Sequence, residues 1–221
     1  MPPDSPMNYS HAAGFSDPKN TKPATIIGAG SVSSYVALGL VKAGYHDLTV
    51  WDNDFVASDN MPMSLFGPSD FGKPKAEALR DIVERLTGVT IKICTKRYES
   101  ERLTTPLVVS CVDDMPTRER IWEGIKGRIA PELFCDTRLG YTYVEVLTIR
   151  PNLERDINRY KQLIGFKNEV AVQQTCGHHG VVYASMYAAS VVVPSVVAHF
   201  SGKTPPPWRV AQRCDTLERA F

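Results

Sequence analysis

The chain has 221 residues, 43% of them hydrophobic and 22% charged, which suits one α/β domain with a sizeable core. With 25 basic and 24 acidic residues the formal net charge is +1, so bulk electrostatics offer no attraction for nucleic acid or a membrane surface. Five cysteines (Cys94, Cys111, Cys135, Cys176 and Cys214) form no CxxC pair, which excludes a two-pair zinc site and points to a reducing, cytoplasmic setting.

Residues 1–22 are rich in Pro, Ser, Asp and Asn and lack the basic start and apolar run of a signal peptide, so they read as an extended arm. Residues 23–203 read as one domain and 204–221 as a tail. Ala24–Ile27 is a short β-favouring run that breaks at Gly28-Ala29-Gly30, and Ser31 opens a helix carrying Val36, Leu38, Leu40 and Val41. Glycine at 28 permits a turn barred to other residues, and glycine at 30 lets a phosphate or sugar approach the positive end of the helix. Gly44 stops that helix, Leu48–Trp51 is the next strand, and Asp52 stands at its carboxyl end, where an acid commonly accepts bonds from ribose hydroxyls. The pattern is a Rossmann-like βαβ unit with Ser33 where a dinucleotide fingerprint has its third glycine. By itself it also admits an NAD-dependent oxidoreductase.

The following segment, WDNDFVASDNMPMSLFGPSDFGKPKAEAL, is more specific. Asp52, Asp54, Val56, Asn60, Leu65, Phe66, Gly72, Lys75 and Ala76 occur in that order, and Ser110-Cys111-Val112-Asp113-Asp114 with Arg118 follows. In this order of motifs the chain resembles the ThiF/MoeB/HesA family, E1-like enzymes that adenylate the C-terminus of a ubiquitin-like or sulfur-carrier protein. The resemblance covers residues 24–201. It implies an E1-like α/β fold, a mostly parallel sheet flanked by helices with antiparallel strands in the C-terminal half.

It also implies ATP and magnesium as cofactors, a partner ending in Gly-Gly, and a homodimer. Gly28, Gly30 and Ser31 would line the nucleotide turn, Asp52 would bind the ribose, and Asp54 and Asn60 would shape the pocket. Lys75 matches the family's phosphate-contacting lysine, and Asp113 matches its aspartate beside the metal and the reacting phosphate. Adenylation is a displacement at phosphorus that depends on positioning and charge neutralisation, and magnesium needs only one or two carboxylates besides phosphate oxygens.

Two departures stand out. The family's LxRQ arginine falls on Met63, and an arginine that relatives contribute from an N-terminal segment has no counterpart before Arg80. Methionine cannot replace a guanidinium, so Lys19, Lys22, Lys73 and Arg118 are the candidate substitutes. The alternative is a nucleotide-binding, catalytically weakened subunit. Asp114 stands where relatives usually have asparagine.

Cys176, in QQTCGHHGVVYAS, precedes a long apolar helix and occupies the place where some relatives carry a thiol that accepts the activated carboxylate; His178 and His179 lie beside it. Further elements are expected at 73–86 (helix), 90–94 and 107–111 (strands), 116–125 (helix), 134–136 and 143–149 (strands). Asp136 and Arg138 are expected on the partner-facing surface, with Arg138 steering the partner's tail. The segment 181–200 is apolar enough to span a membrane but carries Tyr183, Ser185, Tyr187, Ser190 and Pro194, and reads as a core helix bent or broken near Pro194. Its small residues Ala184, Ser185, Ala188 and Ala189 are expected at a dimer interface.

Overall fold

The computed structural model describes residues 7–12, 21–164, 180–202, 206–216 and 219–220. Eight strands form one sheet in the order β3-β2-β1-β4-β5-β6-β7-β8. The parallel half holds β1 (Ala24–Ile27), β2 (Leu48–Trp51), β3 (Lys92–Cys94), β4 (Leu107–Ser110) and β5 (Leu133–Gly140). The antiparallel half adds β6 (Tyr143–Ile149), β7 (Arg209–Arg213) and β8 (Arg219–Ala220). The E1-like α/β architecture expected from the sequence is present. The chain also re-enters the sheet after Pro207: β7 pairs along β6 from Arg209 to Arg213, so part of the expected tail is integral to the fold.

Helices cover both faces because strands buried on both sides must hide two sets of side chains. On one face α1 (Ser31–Lys42), α2 (Lys75–Thr87) and α5 (Val182–Ser201) bury Ile26, Val50, Val109 and Cys135. On the other, α3 (Met115–Ile125) and α4 (Glu154–Ile164) bury Ile27, Val108, Phe134 and Leu147, with Trp122 and Tyr160 at the centre.

The helix expected from residue 73 begins at Lys75. Pro74 is its N-cap, and a residue before proline, here Lys73, is disfavoured in the α region. Gly88, at φ 72°, ends it in the left-handed conformation. In α3 it is Asp114 that caps, accepting the Thr117 N–H at 2.8 Å.

The 20-residue helix α5 is long and apolar enough to cross a membrane, yet it packs on α1 and the sheet and runs through Pro194 without a break. Ala184, Ser185, Ala188 and Ala189, expected at a dimer interface, are buried within the chain itself. Small side chains here allow two layers to approach within one domain. Val182, Tyr183 and Met186 form the exposed side.

Of the N-terminal arm, residues 7–12 fold back on their own domain. The Tyr9 hydroxyl lies 3.2 Å from the Val41 carbonyl, to which it donates, and 3.0 Å from His46 Nε2. Both partners lie before β2, at the amino ends of the parallel strands.

Candidate functional site

In a parallel sheet, strand carboxyl ends share one rim, and ligands collect where connections diverge from it. Here β1 sits between β2 and β4, with α1 leaving β1 toward one face and α3 leaving β4 toward the other. Gly28, Asp52 and Asp113 therefore follow three adjacent strands on one rim.

Gly28 has φ +97°, and a Cβ there would come within 2.7 Å of the Cys111 carbonyl oxygen, so the turn over β4 is open only to glycine. Gly30 has nothing within 4 Å of an added Cβ. It faces free space, and it caps α1 without any side-chain acceptor, so the first-turn N–H groups beginning at Ser31 are available to an anion. At the third-glycine position Ser33 is fully buried and donates its hydroxyl proton to the Gly30 carbonyl at 3.1 Å.

Asp52 ties the turn to the next loop. Its Oδ2 accepts the Ala29 N–H at 2.6 Å and its Oδ1 the Asp54 N–H at 2.7 Å. Burial raises its pKa, against the pull of those two bonds and of Lys75. Each oxygen keeps a further lone pair for a hydroxyl donor.

The segment Asp54–Val56 runs beside Lys73–Lys75. The Val56 N–H donates to the Lys73 carbonyl at 2.9 Å, and the Lys75 N–H donates to the Asp54 carbonyl at 2.8 Å. This stitch brings Lys75 onto the rim at the start of α2, where its ammonium lies 3.1 Å from Asp54 Oδ2. The lysine side chain is 14% exposed and the aspartate 62%. Asn60 has a local job: its Oδ1 accepts the Ala57 N–H at 3.0 Å and closes the 3-10 turn Ser58–Met63.

Asp113 is exposed beyond β4. It is one carboxylate with room around it, enough for a magnesium ion that takes its other oxygens from phosphate and water. Among the described residues no group of three or more His, Cys, Asp or Glu side chains gathers to hold a metal by itself.

Other expectations resolve differently. Arg118, a candidate phosphate ligand, is buried and engaged: it donates to Asp136 Oδ1 at 2.6 Å, the Val112 carbonyl at 2.7 Å and the Thr137 carbonyl at 3.0 Å. Asp136, expected on the surface, is 0% exposed. It also accepts from Arg138 at 2.9 Å and from the Tyr160 hydroxyl at 3.0 Å. Arg138 spans Asp136 and, at 3.5 Å, Glu145, which in turn accepts from Arg209 at 2.7 Å. The sequence reading missed this hub; the clue was an Asp and an Arg two residues apart in one strand, hence on one face.

Cys135 is buried in β5 and Cys111 directly follows β4, one residue beyond the end of that strand, where burial of its thiol pushes its pKa up to about 12. Cys176, His178, His179 and Lys19 lie outside the described residues.

Among solved structures, the fold is similar to E. coli MccB determined with AMPCPP and MccA, at TM-score 0.70 and 14% identity over 92% of this chain and 64% of that one. It is equally similar to PaaA, at TM-score 0.70 and 14% identity over 92% of this chain and 73% of that one. In sequence, a stretch of 69 residues is 39% identical to the ubiquitin-like modifier-activating enzyme ATG7 of Kluyveromyces lactis, covering 31% of this chain. The chain spans only 11% of the length of that curated relative. The ThiF family, by contrast, matches from residue 13 to residue 210, through the glycine turn, the rim and the antiparallel strands alike, and the chain belongs to the ThiF family.

Proposed function

We propose that the chain adenylates the C-terminal carboxylate of a small partner protein or peptide, with ATP and magnesium as cofactors. The observation that carries this reading is the placement of a helix start with no side-chain cap, a half-buried acid, a lysine and an exposed carboxylate (Ser31, Asp52, Lys75 and Asp113) around one rim. Family membership and the ATP-analogue complex of MccB support it, and favour ATP over the nicotinamide alternative.

The residues divide the work. Asp52 accepts from the ribose hydroxyls, Gly30 leaves room for the sugar and phosphates, and the first-turn N–H groups of α1 face the anion. Asp54 and Asn60 shape the pocket wall. Lys75 exchanges its exposed partner Asp54 for a phosphate oxygen, a swap that costs little because a half-solvated pair contributes little. The substrate carboxylate oxygen then bonds to the α-phosphorus as the bond to pyrophosphate breaks, and Lys75 stabilises the charge on the departing group. Asp113 would hold magnesium, which when bound would neutralise the polyphosphate.

For the partner, the ATG7 stretch favours a ubiquitin-like protein and the MccA complexes of MccB favour a peptide, while a sulfur carrier or a Gly-Gly end rests on the resemblance in sequence motifs alone. Transfer to Cys176 is an optional second step, homodimerisation through the exposed side of α5 would follow the family, and free thiols suit the cytoplasm.

Pyrophosphate exchange tests the reading: ATP-dependent exchange on the full chain, with Gly-Gly-ending carrier proteins and free-carboxylate peptides, lost in Lys75→Ala and Asp113→Ala. A second reading, a nucleotide-binding but weakened subunit, is favoured by Met63 and by the engagement of Arg118 with Asp136. ATP binding without exchange against every partner would decide for it.

A further inference from the structure

A triphosphate brings about four negative charges to the rim, and Lys75 alone is a thin counterweight. The sequence offers other cations, and the fold sorts them by position. Met63 is no cation, and its sulfur lies 2.9 Å from where a Cβ on Gly180 would sit, so it abuts the approach to α5. Arg118 has its guanidinium committed to Asp136 and two carbonyls. Lys22 precedes β1, where its neighbour Thr21 donates to the Gly44 carbonyl at 3.1 Å, at the far end of the strands from the rim. Lys96 and Arg97 follow β3, one strand further from the glycine turn than β2, and the charge of Lys96 acts on Glu101.

Lys73 is placed differently. Its carbonyl accepts the Val56 N–H, so the same stitch that carries Lys75 to the rim carries Lys73. The Cα atoms of residues two apart are separated by at most about 7 Å, so two flexible ammonium groups reach one polyphosphate together. The Lys73 side chain is 44% exposed, and its one partner among the described residues, Asp70 Oδ1, is 3.3 Å away. Asp70 does not depend on it, because its Oδ2 accepts the Gly67 N–H at 3.0 Å. Lys73 can leave without stranding a bare buried carboxylate.

We propose that Lys73 is a second phosphate-binding cation of the nucleotide site, acting with Lys75 on the β- and γ-phosphates of a nucleoside triphosphate and so supplying the positive charge missing at Met63. This rests on the adenylation reading above. A cation at the outer phosphates discriminates triphosphate from monophosphate, which gives it a signature that a structural lysine lacks.

The test is calorimetric titration of the full chain with magnesium-ATP and, separately, AMP. Lys73→Met is expected to weaken ATP binding about ten-fold, as loss of one charge-assisted contact does, while AMP affinity stays within about two-fold and Lys73→Arg restores ATP binding. Unchanged ATP affinity in Lys73→Met, or equal loss for ATP and AMP, overturns the assignment. An ATP-selective loss in a Lys96→Met/Arg97→Met double variant with none in Lys73→Met moves the second cation to the β3 side and also overturns it. Wild-type protein that binds no ATP at all sinks the adenylation reading itself, a different failure from a wild type that binds ATP without help from Lys73.

Discussion

Arg118 donates from Nε to Asp136 Oδ1 at 2.6 Å and from Nη2 to the Val112 carbonyl at 2.7 Å, so one buried guanidinium connects the floor of β5 to the residue before Asp113. Asp136 in turn gathers Arg138 and Tyr160, tying α3, α4 and β5 at a single carboxylate. Removing one partner of such a group leaves uncompensated charge. Asp136→Ala is expected to destabilise the fold by about 3–5 kcal/mol, read as a lowered urea midpoint. A loss below about 1 kcal/mol would mean the hub carries no weight.

The two glycines of the nucleotide turn should separate stability from binding. Gly28→Ala forces a Cβ against the Cys111 carbonyl at φ +97° and is expected to cost more than about 1 kcal/mol. Gly30→Ala meets nothing and should keep its thermal midpoint while weakening ATP, because the methyl group fills the space where phosphate or ribose would pass. Equal effects of both on stability would refute the distinction.

Lys75 and Asp54 should behave alike in stability and unlike in activity. Their pair is exposed on the aspartate side, so either Lys75→Met or Asp54→Asn should shift stability by less than about 1 kcal/mol. In pyrophosphate exchange Lys75→Met should fall by about 100-fold or more, as for loss of a group that stabilises developing charge, and Asp54→Asn by far less.

Thiol reactivity should separate along burial. With its pKa pushed up to about 12, the Cys111 thiol is thiolate to about one part in ten thousand at pH 8. Alkylation at that pH, followed by peptide mass analysis, should leave Cys111 unmodified in native protein and modify it about a thousand-fold faster in urea. Rapid native labelling would show that β4 opens.

Asp156 supplies the pH dependence. Burial alone would raise its pKa, but bonds from Arg150 and the charges of Arg150 and Arg155 hold it below the usual carboxylate value. A carboxylate depressed in the folded state contributes stability above its unfolded pKa, and that contribution is lost as pH falls through the folded value. Asp156→Asn should therefore cost about 1–3 kcal/mol at pH 7, with the gap to wild type closing below about pH 4. A gap that widens on acidification would contradict the sign.

Much of the rim was legible in one dimension. The run Ala24–Ile27, the glycines, Leu48–Trp51 and the acid after it are local signals, since a short apolar strand, a glycine turn and a helix start each follow from neighbouring residues. So is the span Tyr143–Ile149, whose strand ends coincide with its apolar run. The start of α2 was off by two residues because Pro74 acts on the residue before it, whereas α3 starts at Met115, one residue ahead of Pro116, because its cap is Asp114.

What the sequence by itself determined, then, is the chain order of strands and helices from β1 to β6, the presence of Asp52, Lys75 and Asp113 at element ends, and family membership through their spacing. Only the tertiary structure decided which charges are free. Arg118 looked available until β5 brought Asp136 across 18 residues to meet it, and Glu145 found Arg209 across 64. The small residues of α5 faced inward because α1 and the sheet were there to be packed against. Backbone conformation is largely a near-neighbour property, whereas the partner of a long charged side chain depends on which strand the sheet sets beside it, and that register is written in the packing of the whole core.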